Sequence, residues 1–199
     1  MGSRTADSLS KITTNPYAPP AAPVDNIPPA ASSANATPFF AVSLLKLGIL
    51  SFCTLGLYEL YWFYQNWQLI RAREQSSITP VLRAFFAVLF CYSCFRRIRE
   101  HGVSLGITPP LAAGALAAAW IITSVTWKLP DPYWLISLLA VVFLLPVQAY
   151  VNRINDTSVP DHDPNARFSG WNWLTVVVGG CLLVLAILGT FMAAQPTRG

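Results

Sequence analysis

From Ala41 to Phe63 the chain is a largely apolar run whose charges are Lys46 and Glu59, and the run closes on TLGLYELYWFYQNW, Thr54 to Trp67. No other stretch constrains the fold as much. About 20 apolar residues cover some 30 Å of hydrocarbon, and tyrosine and tryptophan collect where that hydrocarbon meets the headgroups. Charged residues make up 11% of the chain, against about 25% in a soluble domain. Too few charges are present to cover a water-facing surface, so lipid is the expected solvent for much of the molecule.

Four more apolar segments follow: Val81 to Phe95, Leu111 to Trp127, Tyr133 to Tyr150 and Leu174 to Ala193. The expected fold class is therefore all-α, a polytopic membrane helical bundle of four or five membrane segments. Segment 81–95 is the short one. It begins behind Thr79 and Pro80, a helix-start signal, and carries Arg83, so it either crosses or dips in and returns as a re-entrant or interfacial element. The third segment is rich in alanine and glycine, and Gly114 with Ala118 forms a small-x-x-x-small face suited to close helix approach. The fourth follows the LPDP turn and contains Pro146, expected to kink its last turns. Together the third and fourth read as a helical hairpin, and the fifth enters behind Trp171 and Trp173 as the cleanest span.

Ahead of these lies a Pro/Ala-rich tail, residues 1–38, without apolar periodicity. Such a segment cannot bury enough surface to offset the entropy of ordering, so disorder is expected there. Arg4 and Lys11 are not followed by a short apolar core, and the tail does not read as a signal peptide. The domain division is 1–38 tail, 39–194 helical membrane domain and 195–199 short tail.

Arginine and lysine near span ends favour the cytoplasmic side. Arg96, Arg97 and Arg99 mark one such loop. If segment 81–95 crosses, Arg71 and Arg73 are forced to the opposite side; if it returns, Arg71, Arg73 and Arg83 join the cytoplasmic set. The arginines at both ends of this marginal segment favour the return, which puts residues 65–108 all on the cytoplasmic side.

Thr54, Gly56, Tyr58 and Trp62, read as T-x-G-x-Y-x-x-x-W with QNWQLIRARE behind them, resemble a group of small bacterial inner-membrane proteins of unknown function. The NPYAPP of the tail is similar to tails ahead of several bacterial membrane domains. The resemblance covers roughly Phe40 to Arg99 and implies a bacterial inner (cell) membrane, multi-pass. It implies no activity, substrate or catalytic residue.

Ionisable groups inside a membrane are costly and so become functional candidates. Lys46, near the start of the first segment, is expected to snorkel to the interface. Glu59 and Arg83 lie at similar depth on the same side in either topology, and an intramembrane ion pair between them would satisfy both charges. Their sharper alternative role is a proton or ion path. Tyr58, Tyr61, Trp62, Tyr64 and Trp67 form an aromatic cluster whose ordinary role is interface anchoring. Their ring faces also suit a lipid-headgroup or cation site.

Other motifs carry less. Cys91 and Cys94 form a C-x-x-C, but no second pair or histidine lies nearby to complete a metal set. Asp156, Asp161, His162 and Asp163 are donors close in sequence, yet they lack calcium-loop spacing and sit among ordinary turn formers. No catalytic residue, cofactor site or metal site is assigned. Nothing resembles a phosphate loop, a nucleophile elbow or an H-E-x-x-H helix. The net charge of +4 arises from membrane-flanking arginines, which attract anionic lipid headgroups rather than nucleic acid.

The expected function is that of an integral inner-membrane protein without catalysis, an envelope component or partner-binding membrane module associated with the lipid bilayer and with a protein partner or a second copy. The rival is a small-solute, ion or lipid-handling permease or channel using Glu59, Arg83 and the aromatic cluster. A membrane enzyme comes third.

Overall fold

The computed structural model describes residues 36–193. The expectations for residues 1–35, including most of the Pro/Ala-rich tail, and for 195–199 fall outside the described residues. Seven α-helices follow in order: α1 Leu44–Cys53, α2 Leu57–Glu74, α3 Pro80–Phe85, α4 Ala87–Ser104, α5 Ala113–Val125, α6 Ala140–Ser158 and α7 Gly170–Ala193. Short 3₁₀ turns, Thr126–Lys128 and Tyr133–Leu139, connect α5 to α6. Among the described residues there is no strand.

Two helical stretches are long and apolar enough to cross a membrane, Tyr133–Ser158 and Gly170–Met192. They differ in surroundings. Only 6% of the second is buried within the protein, against 39% of the first, and α7 turns Val177, Val178, Leu182, Leu185 and Met192 outward.

The first apolar run is not one helix. Leu55 and Gly56 adopt left-handed backbone, with φ of 54° and 88°, and end α1 in a Schellman-type turn in which Gly56 N–H donates to Ser51 O at 2.9 Å. Thr54 holds both sides of the break. Its hydroxyl donates to Leu50 O at 2.7 Å and accepts from Tyr58 N–H at 3.0 Å, closing α1 and capping α2. The T-x-G-x-Y string is thus the chemistry of a helix junction. A Gly56→Val variant would place a β-branched side chain at φ of 88°, with a cost of about 1–3 kcal/mol. A lowered thermal midpoint by near-ultraviolet dichroism is the expected result, and an unchanged midpoint would rule out a strained junction.

Segment 81–95 is also interrupted. Pro80 occupies the first turn of α3, where its missing N–H costs nothing, and the helix stops at Phe86 and restarts as α4. The chain leaves the end of the bundle where α2 finishes and packs α3 back along α2, with the Arg83 guanidinium 4.5 Å from the Trp67 ring centroid. It then turns at Phe85 to Ala87 beside the start of α2. From there α4 returns, and Arg97 meets Glu74 at the end of α2.

The core runs between α2, α4, α5 and α6, where Trp62, Phe63, Phe95, Ile98, Leu144 and Ile154 are fully buried. Phe63 stacks on Phe95 at 6.0 Å and meets Trp120 edge-on at 5.0 Å. On α5 the buried face is Ala113, Ala117 and Trp120, while Gly114 and Ala118 face outward. The expected small-residue face is therefore one residue out of phase with the face that packs within the chain. Close approach occurs instead at Gly179 of α7, where a Cβ would stand 2.3 Å from the backbone oxygen of Cys53. Helix α6 runs unbroken through Pro146, whose absent N–H leaves the Val142 carbonyl without its helical donor.

Candidate functional site

At one end of the bundle, the starts of α2, α4 and α6 meet the end of α5 around a cavity of about 470 Å³. Glu59, in the first turn of α2, lines it and is only 4% exposed. The Trp120 indole N–H donates to Glu59 Oε2 at 2.6 Å. Trp120 reaches it because the Ala113, Ala117, Trp120 face brings α5 against the core. Ser124, one turn further along α5, also lines the cavity, and its buried hydroxyl has no partner among the described residues. Phe85, Trp127 and Leu57 complete much of the apolar wall.

Glu59 and Arg83 are not brought together. The carboxylate is held by Trp120, whereas the Arg83 guanidinium lies over the rings of Trp67 and Phe90, at 4.5 and 5.1 Å from their centroids. The reason is the break after α3. Arg83 stands on the short returning helix beside the middle of α2, while Glu59 is two turns of α2 nearer the other end. Among the described residues Glu59 has no ion-pair partner.

The aromatic cluster divides. Tyr58 and Tyr61 lie together on α2, with ring centroids 5.6 Å apart; Tyr58 is half-buried against the core and Tyr61 is 44% exposed. Tyr64 accepts from Gln68 on the same helix. Trp62 and Trp67 are fully buried core residues rather than surface anchors. Exposed indoles sit elsewhere, at Trp171 and Trp173 at the start of α7 and at Trp127 beyond α5.

Lys46 does not project freely. It is 4% exposed, and its ammonium donates to Asn165 Oδ1 at 2.8 Å and to Arg167 O at 2.9 Å, fastening the loop between α6 and α7 to α1. The aspartate loop is built as a turn. Asp163 accepts from Asn165 N–H at 2.8 Å, and His162 Nδ1 lies 2.8 Å from Val159 O and 3.8 Å from Asp156. Among the described residues no three such side chains converge as a metal-ligating group. Cys91 and Cys94 are both buried on α4.

A set of side chains absent from the sequence expectations organises the bundle interior. Residues 39–42, just ahead of α1, run into the protein without helical bonds, and side-chain amides take the place of a partner strand. Asn155 pairs with Phe39 twice, accepting from its N–H at 3.2 Å and donating to its carbonyl at 3.0 Å. Asn66 Oδ1 accepts from Phe40 N–H at 3.2 Å, and Gln148 donates to Phe40 O at 3.1 Å. Asn152 donates to Val42 O and Asn165 to Ala41 O, at 3.1 and 3.2 Å. The Trp62 indole donates to Gln148 Oε1, so α2 also holds the amide that binds the strap from α6. Gln148, Asn152 and Asn155 stand at i, i+4 and i+7, one face of α6. That spacing of amides in an apolar helix is the signal that could have revealed the strap.

The ends of the bundle differ in charge. Arg71, Arg73, Arg96, Arg97, Arg99 and Arg153 gather at the end where α2, α4 and α6 finish, tied by Arg97 to Glu74, Arg73 to Pro38 O at 3.3 Å and Arg153 to Thr108 O at 2.9 Å. Partial burial and the charge of Arg73 hold the His101 imidazole, stacked edge-on to Phe39 at 5.5 Å, below its ordinary value. Lys128 stands near the opposite end.

No protein-family model, curated protein or solved structure matches this chain.

Proposed function

We propose that the chain is a multi-pass protein of the bacterial inner membrane, a non-catalytic membrane module whose arginine-rich end faces the cytoplasm. The separation of charge carries this reading: six arginines at one end of the bundle, Lys128 near the other, and apolar side chains facing outward between them. Positive charge is retained on the cytoplasmic side of membrane proteins. Helix α7, 24 residues long, extends about 36 Å, enough to cross the hydrocarbon with Trp171 and Trp173 at one boundary.

In this arrangement α5 with its 3₁₀ extension, the stretch 133–158 and α7 cross, and the junction of α1 and α2 enters from the arginine side and returns. Residues 81–95 form a second returning element, supported by the Arg97 to Glu74 contact. The outward Gly114 and Ala118 face of α5 offers a close-packing surface for a protein partner or a second copy. Arginines at the cytoplasmic boundary attract anionic headgroups.

The cavity at Glu59 favours a second reading, a role in handling a small solute, an ion or a lipid, with Trp120 in the place expected of Arg83. Native mass spectrometry of the full chain released gently from its membrane separates the two. A bound protein or second copy, unchanged by Glu59→Gln, supports the partner module. A bound small molecule that disappears in Glu59→Gln replaces it with the ligand-handling reading.

A further inference from the structure

We infer that the Glu59 cavity is a binding site for an organic ammonium group, with Glu59 as its counter-charge and Trp120 and Phe85 as its aromatic walls. The inference rests on the ligand-handling reading of this cavity and names the class of ligand; it requires no transport step.

Three observations converge. Among the described residues Glu59, 4% exposed, receives one hydrogen bond, from Trp120 to Oε2, which leaves Oε1 without a donor there. A carboxylate as buried as this is stabilised by a cation or by several donors. Independently, the Ser124 hydroxyl lines the same cavity, is buried and has no partner among the described residues. A ligand carrying both positive charge and N–H or polarised C–H groups meets the needs of both atoms. The third is the wall. Indole and phenyl faces attract cations, and a carboxylate set among aromatic rings is the general solution for holding alkylated ammonium.

Charge and access agree with this assignment. Among the described residues no arginine or lysine lines the cavity. Lys128 lies over the Trp127 ring, 5.7 Å from its centroid, so that ring is already engaged at the cavity's edge, while among the described residues no cation lies over the rings of Trp120 and Phe85. Phe85 is 73% exposed, so the cavity opens on the apolar flank of the bundle as well as towards the end bearing Lys128. An amphiphilic amine or the ammonium headgroup of a lipid reaches it from the bilayer; a free organic cation reaches it from the water beyond that end.

The test titrates benzyltrimethylammonium into the full chain in dodecyl maltoside micelles, which contain no amine, and follows binding by calorimetry. Saturable binding is expected, with neopentylbenzene, the neutral molecule of the same shape, at least roughly tenfold weaker and Glu59→Gln weakened by roughly tenfold or more. Phe85→Leu, at an exposed position, is expected to weaken the cation by roughly threefold. It keeps the test decisive if Glu59→Gln fails to fold. Displacement of the cation by added phosphatidylethanolamine identifies a headgroup as the source, and cation binding unaffected by it identifies a free amine; both support the site. Neutral and cationic probes binding alike would overturn the ammonium assignment while leaving a ligand cavity. Absence of saturable binding by either probe would remove the ligand reading as well.

Discussion

Asn155→Leu is expected to release the strap at residues 39–42 and to destabilise the bundle by about 2–6 kcal/mol. The substitution keeps the branched heavy-atom outline of the side chain but removes both bonds to Phe39, the N–H to Oδ1 contact at 3.2 Å and the Nδ2 to carbonyl contact at 3.0 Å. Phe39 and Asn155 are both fully buried. The two orphaned backbone groups therefore find no water, and each unsatisfied buried group costs about 1–3 kcal/mol. Limited proteolysis reads the outcome directly. Cleavage within 36–43 should appear in the variant under conditions that leave the parent chain whole. Asn152→Leu loses one strap contact, to Val42 O at 3.1 Å, and should fall between the two. Equal protection of the parent and Asn155→Leu chains would mean that the amides do not hold the strap.

Gly179→Leu is expected to separate α7 from α1. A Cβ at this position would lie 2.3 Å from the Cys53 carbonyl oxygen and 2.9 Å from its carbon, a backbone that no rotamer change can move aside. One of the two helices must shift, and overpacking of this kind costs about 1–3 kcal/mol or more. Glycine at a helix crossing is what permits backbones to touch where apolar burial cannot drive association. Only 6% of the long apolar stretch of α7 is buried, so few other contacts offset the loss. The expected readout is faster exchange or cleavage in the 159–169 loop and a lower thermal midpoint. Gly180→Leu serves as the control, because nothing stands within 4 Å of a Cβ there.

The helical character of the chain was legible in its apolar runs, and α7 follows its sequence segment closely because nothing interrupts 24 residues of membrane-compatible side chains. The interruption of the first run was not. Hydropathy averages over Thr54, Leu55 and Gly56, yet a left-handed Gly56 and the two bonds of the Thr54 hydroxyl are enough to end one helix and start another. The motif was visible as a string, while its meaning lay in backbone geometry. Glu59 was recognisable as costly, since a carboxylate in an apolar run demands a partner. Its partner was not recognisable, because Trp120 lies 61 positions away and reads in sequence as one more apolar residue. Arg83 was the nearer charge in sequence, and the turn at Phe86 carried it to Trp67 instead. Lys46 looked like a snorkelling lysine for a similar reason: the loop oxygens that satisfy it come from Asn165 and Arg167, far along the chain. The amide stripe on α6 was periodic and so within reach, but nothing in the sequence says that the backbone of residues 39–42 is what it binds.

The orientation of the arginine-rich end is tested most directly by labelling with a membrane-impermeant maleimide, using Ser77→Cys in the exposed turn between α2 and α3 and Asp131→Cys in the exposed turn between α5 and α6. The unsubstituted chain, which carries its own four cysteines, supplies the background. The account predicts that Asp131→Cys reacts in intact spheroplasts and that Ser77→Cys reacts only in inverted vesicles. Labelling of Ser77→Cys from the outer face, or of both positions from the same face, would contradict it.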